Sequence, residues 1–293
     1  MNVHNLPNDI FPARKGKQDR IIFHYYSALT GSFKGKSILH RNAISLVIQG
    51  EKSMQFANRT VNIKDDEFHF LSAGNCLASV SLSERKVFSS ILIFFDNQAL
   101  ADFYLKYDSF ISKVRGKKKV VSESYVSFKK DAWILHYINS LKLLFQATAE
   151  ISTEMRILKF EELMVYLVEK YPEKILSFQT SEVHELNDLE VRKAVEANIS
   201  NNITLEELAF LCNISLSTFK RRFVKIYGSS PNKWMLQRRM EMAKTLLLHH
   251  HEKPSEVFHK VGYENHSSFT QSFKQTFGMT PKAFQLRQLA VQQ

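Results

Sequence analysis

Only 2 cysteines, Cys76 and Cys212, occur in 293 residues. That excludes a disulfide framework and a cysteine-rich zinc site. Glycine is sparse at 9 residues, and neither GxxxxGK(S/T) nor GxGxxG occurs, so the usual phosphate-cradling loops are missing. No apolar run approaches the roughly 18 residues needed to cross a bilayer. The opening MNVHNLPNDIFPARKGK is polar and lacks the apolar core of a signal peptide. These absences lead to the expectation of a soluble, reduced, cytoplasmic protein without cofactor or metal.

Positive charge is what the chain has in excess. Lys and Arg number 40 against 29 Asp and Glu, a net charge of +11, which makes a polyanion the expected partner. Charged residues make up 24% and hydrophobic residues 44%, a balance that supports ordinary cores. At roughly 150 residues per domain, the length suggests two domains.

The apolar period changes along the chain. IIFHYY, AISLVIQG, KSMQF, RTVNI, FHFL and KVFSSILIFF, between Ile21 and about Asp96, are β-branched and aromatic and are separated by turn formers. They predict an antiparallel sandwich or barrel. NQALADFYLKY, DAWILHYINSLKLLF and STEMRILKFEELMVYLVEKY then carry apolar residues at helical spacing, with Lys117-Lys118-Lys119 in a loop. From Leu189 onward every periodic segment reads as helix. The fold class is therefore a two-domain α+β chain. Its divisions are 1–180, a polar linker at 181–187, and an all-α domain at 188–293.

The charge is uneven as well. No acidic residue lies between Glu207 and Glu241, whereas Lys220, Arg221, Arg222, Lys225, Lys233, Arg238 and Arg239 do. A solvated helix face normally mixes signs, so this stretch reads as a surface for phosphates.

The same region contains an internal repeat with an offset of 50. Ser217, Phe219, Phe223, Gly228, Pro231 and Leu236 recur as Ser267, Phe269, Phe273, Gly278, Pro281 and Leu286. Tyr227 and Trp234 correspond to Phe277 and Phe284. Thr204 and Glu207 form a capping box ahead of ITLEELAFLC, and Asn213 suits a left-handed turn. Phe219 and Phe223 then mark the buried stripe of a second helix, which Gly228 stops, and Ser230-Pro231 begins another. SEVFHKV, Gly262-Tyr263, HSSFTQSFKQTF, Gly278 and Thr280-Pro281 repeat the pattern. Two short helices joined by a tight turn form a helix-turn-helix, here at about 204–228 and 254–277. Two generic helical hairpins are the plainer alternative, against which the duplication and the basic stretch both count.

ITLEELAFLCNISLSTFKRRFVKIYGSSPNKWMLQRR, the connecting RMEMAKTLLL and VGYENHSSFTQSFKQTFGMTPKAF together resemble the AraC/XylS transcriptional regulators over about 100 residues. The resemblance implies seven helices, with two helix-turn-helix units held by a long central helix. Residues 231–248 as helix would span roughly 27 Å at about 1.5 Å per residue. With helix radii added, that suits recognition helices reading successive major grooves roughly 34 Å apart.

Double-stranded promoter DNA is the partner so implied, with RNA polymerase behind it. Opposite Phe219 and Phe223, the first recognition helix shows Ser217, Lys220, Arg221 and Lys225. By resemblance, Ser217, Lys220 and Arg221 read bases, while Arg222 and Lys225 meet phosphates. In the second helix Ser267, Ser268 and Gln271 face outward as base readers and Lys274 meets phosphate. Gln271 stands where many family members carry a basic residue, and His259 replaces a usual small residue.

For the strand-rich half the resemblance implies a cupin-like sensor or dimerisation module. LKFEELMVYLVEKY and SSFTQSF resemble the ExsA-type activators of type III secretion genes, in which a protein partner controls the activator. The effector is thus a small molecule or a protein, and a homodimer is possible through the apolar stripe of Trp133, Leu135, Ile138, Leu141 and Leu144, unless that stripe is core. Two readings compete with the regulator. A cupin enzyme needs a histidine-carboxylate cluster, but His24, His40 and His69 are isolated. His249-His250-His251 reads as a cationic helix end rather than a metal site. A membrane-surface protein would need apolar helix faces that the core pattern already uses.

Overall fold

The computed structural model describes residues 3–10, 19–114, 123–148, 150–178, 180, 186–249 and 252–291. The linker residues 181–185, the lysine run 117–119 and the histidine run beyond position 249 lie outside these. Contacts divide the chain into two compact units, the first 1–56 with 60–184 and the second 57–59 with 185–293.

Among the described residues the first unit opens with nine strands: β1 (His4–Leu6), β2 (Ile21–Ala28), β3 (Ser32–Leu39), β4 (Asn42–Gln49), β5 (Glu51–Gln55), β6 (Thr60–Ile63), β7 (Glu67–Leu71), β8 (Gly74–Ser81) and β9 (Phe88–Phe95). Then come α1 (Asn97–Lys106), α2 (Asp108–Val114), β10 (Tyr125–Lys129), α3 (Ala132–Ala147), α4 (Thr153–Lys170) and α5 (Pro172–Leu176). The strands form two sheets of five, in the orders β1-β3-β8-β5-β6 and β10-β7-β4-β9-β2. Neighbours pair antiparallel, except for β1 with β3.

Side-chain alternation sorts the second sheet. Ala43, Val47, Leu71, Leu92 and Phe94 pack with Leu39, Met54, Val61, Ile63 and Cys76 of the first sheet. Ile44, Leu46, Phe68, Phe70, Ile91, Ile93 and Phe95 pack instead with Phe160, Leu163, Met164 and Leu167 of α4. The result is sheet, sheet, helices. β9 (FSSILIFF) is buried along its whole length, Ser89 and Ser90 included, as expected of a strand covered on both faces. The sandwich alternative therefore holds. Among the described residues no ladder closes the two sheets into a barrel.

Sequence periodicity missed β1, β3, β8 and β10. SFKGKSIL and GNCLASVS are too polar and too rich in small residues to stand out, and YVSFK lies between helical segments. Within the apolar stripe of α3, Ile138 and Leu141 are buried, whereas Leu135 is 52% exposed.

His69 of β7 is fully buried. Its Nδ1 lies 2.6 Å from the Tyr125 hydroxyl, and its ring stacks on that tyrosine. Burial pushes its imidazole down to about 4, against the pull of the Glu67 carboxylate. His40 Nε2 lies 3.0 Å from the Asn5 side-chain oxygen. No histidine shares a metal-like cluster among the described residues.

The second unit contains seven helices among the described residues: α6 (Asp188–Ala197), α7 (Leu205–Leu211), α8 (Leu216–Tyr227), α9 (Pro231–His249), α10 (Pro254–Lys260), α11 (His266–Phe277) and α12 (Pro281–Val291). Its 19-residue α9 is roughly 28 Å long at about 1.5 Å per residue.

Candidate nucleic-acid interface

Each recognition helix starts and stops where local chemistry dictates. The Thr204 side chain accepts from the Glu207 amide at 3.1 Å, and the Glu207 carboxylate accepts from the Thr204 amide at 2.9 Å. This completed capping box fixes the start of α7. Asn213 makes the turn with φ of +56°. Ser215 caps α8, Asn265 caps α11, and Gly228 and Gly278 end them in the left-handed conformation.

The repeat is carried into three dimensions by aromatic rings. Phe223 lies 4.5 Å from Tyr227 and 5.7 Å from Trp234. Fifty residues on, Phe273 lies 4.6 Å from Phe277 and 5.5 Å from Phe284. The Phe219–Phe223 and Phe269–Phe273 spacings are both 5.8 Å. Each triangle locks its recognition helix to the helix that follows, so both helices turn equivalent faces outward.

On α8 the exposed positions are Ser217, Lys220, Arg221, Val224 and Lys225. On α11 they include Ser267, Ser268, Gln271, Lys274 and Gln275. Hydrophobic burial alone produces these arcs, because Phe219, Phe223, Phe269 and Phe273 have no exposed surface. Eight of the nine anticipated contact residues therefore stand on exposed arcs. Two further residues share those arcs: Val224, 49% exposed, and Gln275, which stands where Lys225 stands in the first copy. An exposed valine at i+3 from Arg221 was the available signal for the first. The second follows from the repeat offset.

Arg222 is the ninth, and it turns inward. Its guanidinium donates to the Leu186 carbonyl at 2.5 Å and lies 3.9 Å from the Asp188 carboxylate. Arg239 of α9 is also used internally, donating to the carbonyls of Ile199 at 2.7 Å and Asn201 at 3.0 Å. Its guanidinium lies beside Gly262, whose φ is +79° and where an added Cβ would meet the Ser200 carbonyl oxygen at 2.9 Å. The Asn202 side chain bonds to Glu264. The loop after α6 is thus tied to the turn of the second helix-turn-helix.

Lys225 pairs with Asp188 at 2.7 Å, a bond that holds the carboxyl below its ordinary range. The basic stretch between Glu207 and Glu241 is accordingly less unopposed than its composition indicates. Its counter-charge comes from Asp188, outside that window in sequence but next to α8 in space.

The two halves of the chain match different families of known proteins. The ExsA N-terminal regulatory domain family matches residues 42–178, and a helix-turn-helix domain family matches residues 208–287. The virulence regulon transcriptional activator VirF of Yersinia enterocolitica is 23% identical over 252 residues, which is 85% of this chain and 91% of that one. The HTH-type transcriptional regulator ExsA of Pseudomonas aeruginosa is 23% identical over 238 residues, 81% of this chain and 84% of that one. Among solved structures, ToxT of Vibrio cholerae is similar over 91% of this chain and 98% of that one, at 12% identity and a TM-score of 0.36.

The duplicated units and these matches define the class: a DNA-binding transcription regulator of the helix-turn-helix type. It carries a helix-turn-helix domain of the AraC type, preceded by a domain similar to the ExsA N-terminal regulatory domain.

Proposed function

We propose that the chain is a transcriptional activator that lays α8 and α11 into successive major grooves of its promoter. The observation that carries this reading is the pair of equivalent exposed arcs, set by matching aromatic triangles. Lys220 and Arg221 can donate to guanine O6 and N7, Ser217, Ser267 and Ser268 can donate or accept, and Gln271 can pair with adenine. Val224 offers a methyl surface suited to thymine. Lys225 and Lys274 neutralise phosphates, and Arg222 acts as a positioning residue that holds the start of α6 against α8. The first unit, with three cations on its arc, anchors; the second, with Gln271 and Gln275, discriminates more gently.

Working divisions of 1–180, 181–187 and 188–293 separate a regulatory module of cupin-like ancestry from the DNA-binding domain. The regulatory module takes the input, a small molecule or a protein, and the DNA-bound protein contacts RNA polymerase in the cytoplasm. Leu135, Leu143 and Leu158, each more than half exposed on α3 and α4, support a homodimer through those helices.

Selection of bound sequences from a random duplex pool by the purified chain will return two half-sites about one helical turn apart. In gel-shift titration, Arg221→Ala will abolish preference for the selected site and Gln271→Ala will weaken it less. Undiminished preference in Arg221→Ala would sink the assignment.

A further inference from the structure

We propose that Asp188 is an internal stand-in for a DNA phosphate, occupying Lys225 in the free protein and so limiting how tightly the first recognition helix grips DNA. The inference rests on the reading of Lys225 as a phosphate contact.

Several bonds place the carboxylate there. Leu186 donates its amide to the Cys212 carbonyl at 3.2 Å and accepts from Arg222 at 2.5 Å. Asn187 then caps α6, in a capping box with Glu190. Asp188 is thereby fixed as the first residue of α6, and its two oxygens lie 2.7 Å from Lys225 Nζ and 3.9 Å from Arg222 Nε. The arrangement is one an arriving phosphate would copy: an anion against one lysine on the exposed arc, flanked by a guanidinium.

The pair is open to solvent, with Lys225 75% and Asp188 40% exposed, so DNA can displace the carboxylate. It must nevertheless displace it. Breaking an exposed ion pair lowers affinity only a few-fold, the range expected of a device that tunes binding rather than blocks it. It also alters salt dependence. When Lys225 moves to a phosphate, the freed Asp188 takes up a cation, which offsets the counterion that the DNA releases. The protein therefore shows one contact fewer in its salt slope than its exposed cations suggest. Asp188 thus corrects an apparent excess of charge in α8.

The test is fluorescence anisotropy on the full chain, with the selected duplex and a scrambled one, at two salt concentrations. Variants are Asp188→Asn, Asp188→Ser, Lys225→Gln and Asp188→Asn with Lys225→Gln. Both single Asp188 substitutions will tighten binding to both duplexes by about two- to fivefold and steepen the salt slope by about one. The gain will largely vanish in the Lys225→Gln background. Unchanged or weaker binding by both Asp188 variants, with melting temperatures intact, overturns the proposal. If Lys225→Gln alone leaves binding unchanged, the phosphate-contact reading itself fails. If Lys225→Gln weakens binding while the Asp188 variants gain nothing, only the competition fails.

Discussion

Arg221 and Gln271 occupy the same place in two copies of one motif, and under the proposed function the difference between them would set how each copy reads DNA. A guanidinium is always charged and suits guanine, whereas an amide is neutral and suits adenine. Gly262 matters for a reason of shape rather than chemistry. Its φ of +79° already disfavours a side chain, and a Cβ would come within 2.9 Å of the Ser200 carbonyl oxygen and 3.3 Å of the Arg239 guanidinium. Gly262→Ala will therefore destabilise the second unit by about 1–3 kcal/mol, read as a lowered denaturation midpoint for the helical signal. An unchanged midpoint would mean that the Ser200 loop yields freely. The glycine itself was legible in the sequence as a turn former. That it meets the loop after α6 was not, because residues 200 and 262 are brought together only by the packing along α9.

Among elements, the paired helices of the two copies are not capped alike. α7 has a complete Thr204–Glu207 box, whereas α10 begins at Lys253 with no side-chain cap and relies on Pro254 in its first turn. Thr204→Ala will cost about 1 kcal/mol in denaturant melts. Lys253→Ser will stabilise by a comparable amount, because it supplies an acceptor that α10 lacks. A neutral Thr204→Ala would show that packing of Leu208 and Leu211, not the cap, holds α7. Boundaries of this kind were readable, since caps and left-handed stops are written in adjacent residues. β3, β8 and β10 were not readable. Their pairing partners, not their own composition, make them strands: Ser37 faces Cys76, and Ser127 faces His69.

For the molecule as a whole, acid weakens the first unit. Burial holds the folded-state His69 near 4, below the ordinary histidine value of 6.5. Between 6.5 and about 4 the unfolded chain takes up a proton that the folded one refuses, so stability is lost as pH falls and levels off below 4. His24, also lowered by burial, adds in the same direction. The loss attributable to His69 is on the order of 3 kcal/mol. Urea melts at pH 7 and pH 5, monitored in the β-rich unit, will show about 2 kcal/mol of it, and His69→Phe will flatten the dependence. An equally steep slope in that variant would assign the effect elsewhere.

The net charge of +11, the fifty-residue repeat and the change of period between the halves pointed to two domains and a polyanion partner, and the motifs that resemble the AraC/XylS regulators added the regulator. Caps, periodicity and charge runs are local signals, and they survive in a linear reading. Which cations remain available was decided in three dimensions. Arg222 and Arg239 are spent on backbone carbonyls, and Lys225 is held by Asp188 from 37 residues away. The same holds for the sandwich, in which β3 and β8 lie side by side within one sheet and β10 edges the other, each sheet completed by strands the sequence did reveal. Charge acts through distance in space, and strands exist through their neighbours, so both had to await the tertiary structure.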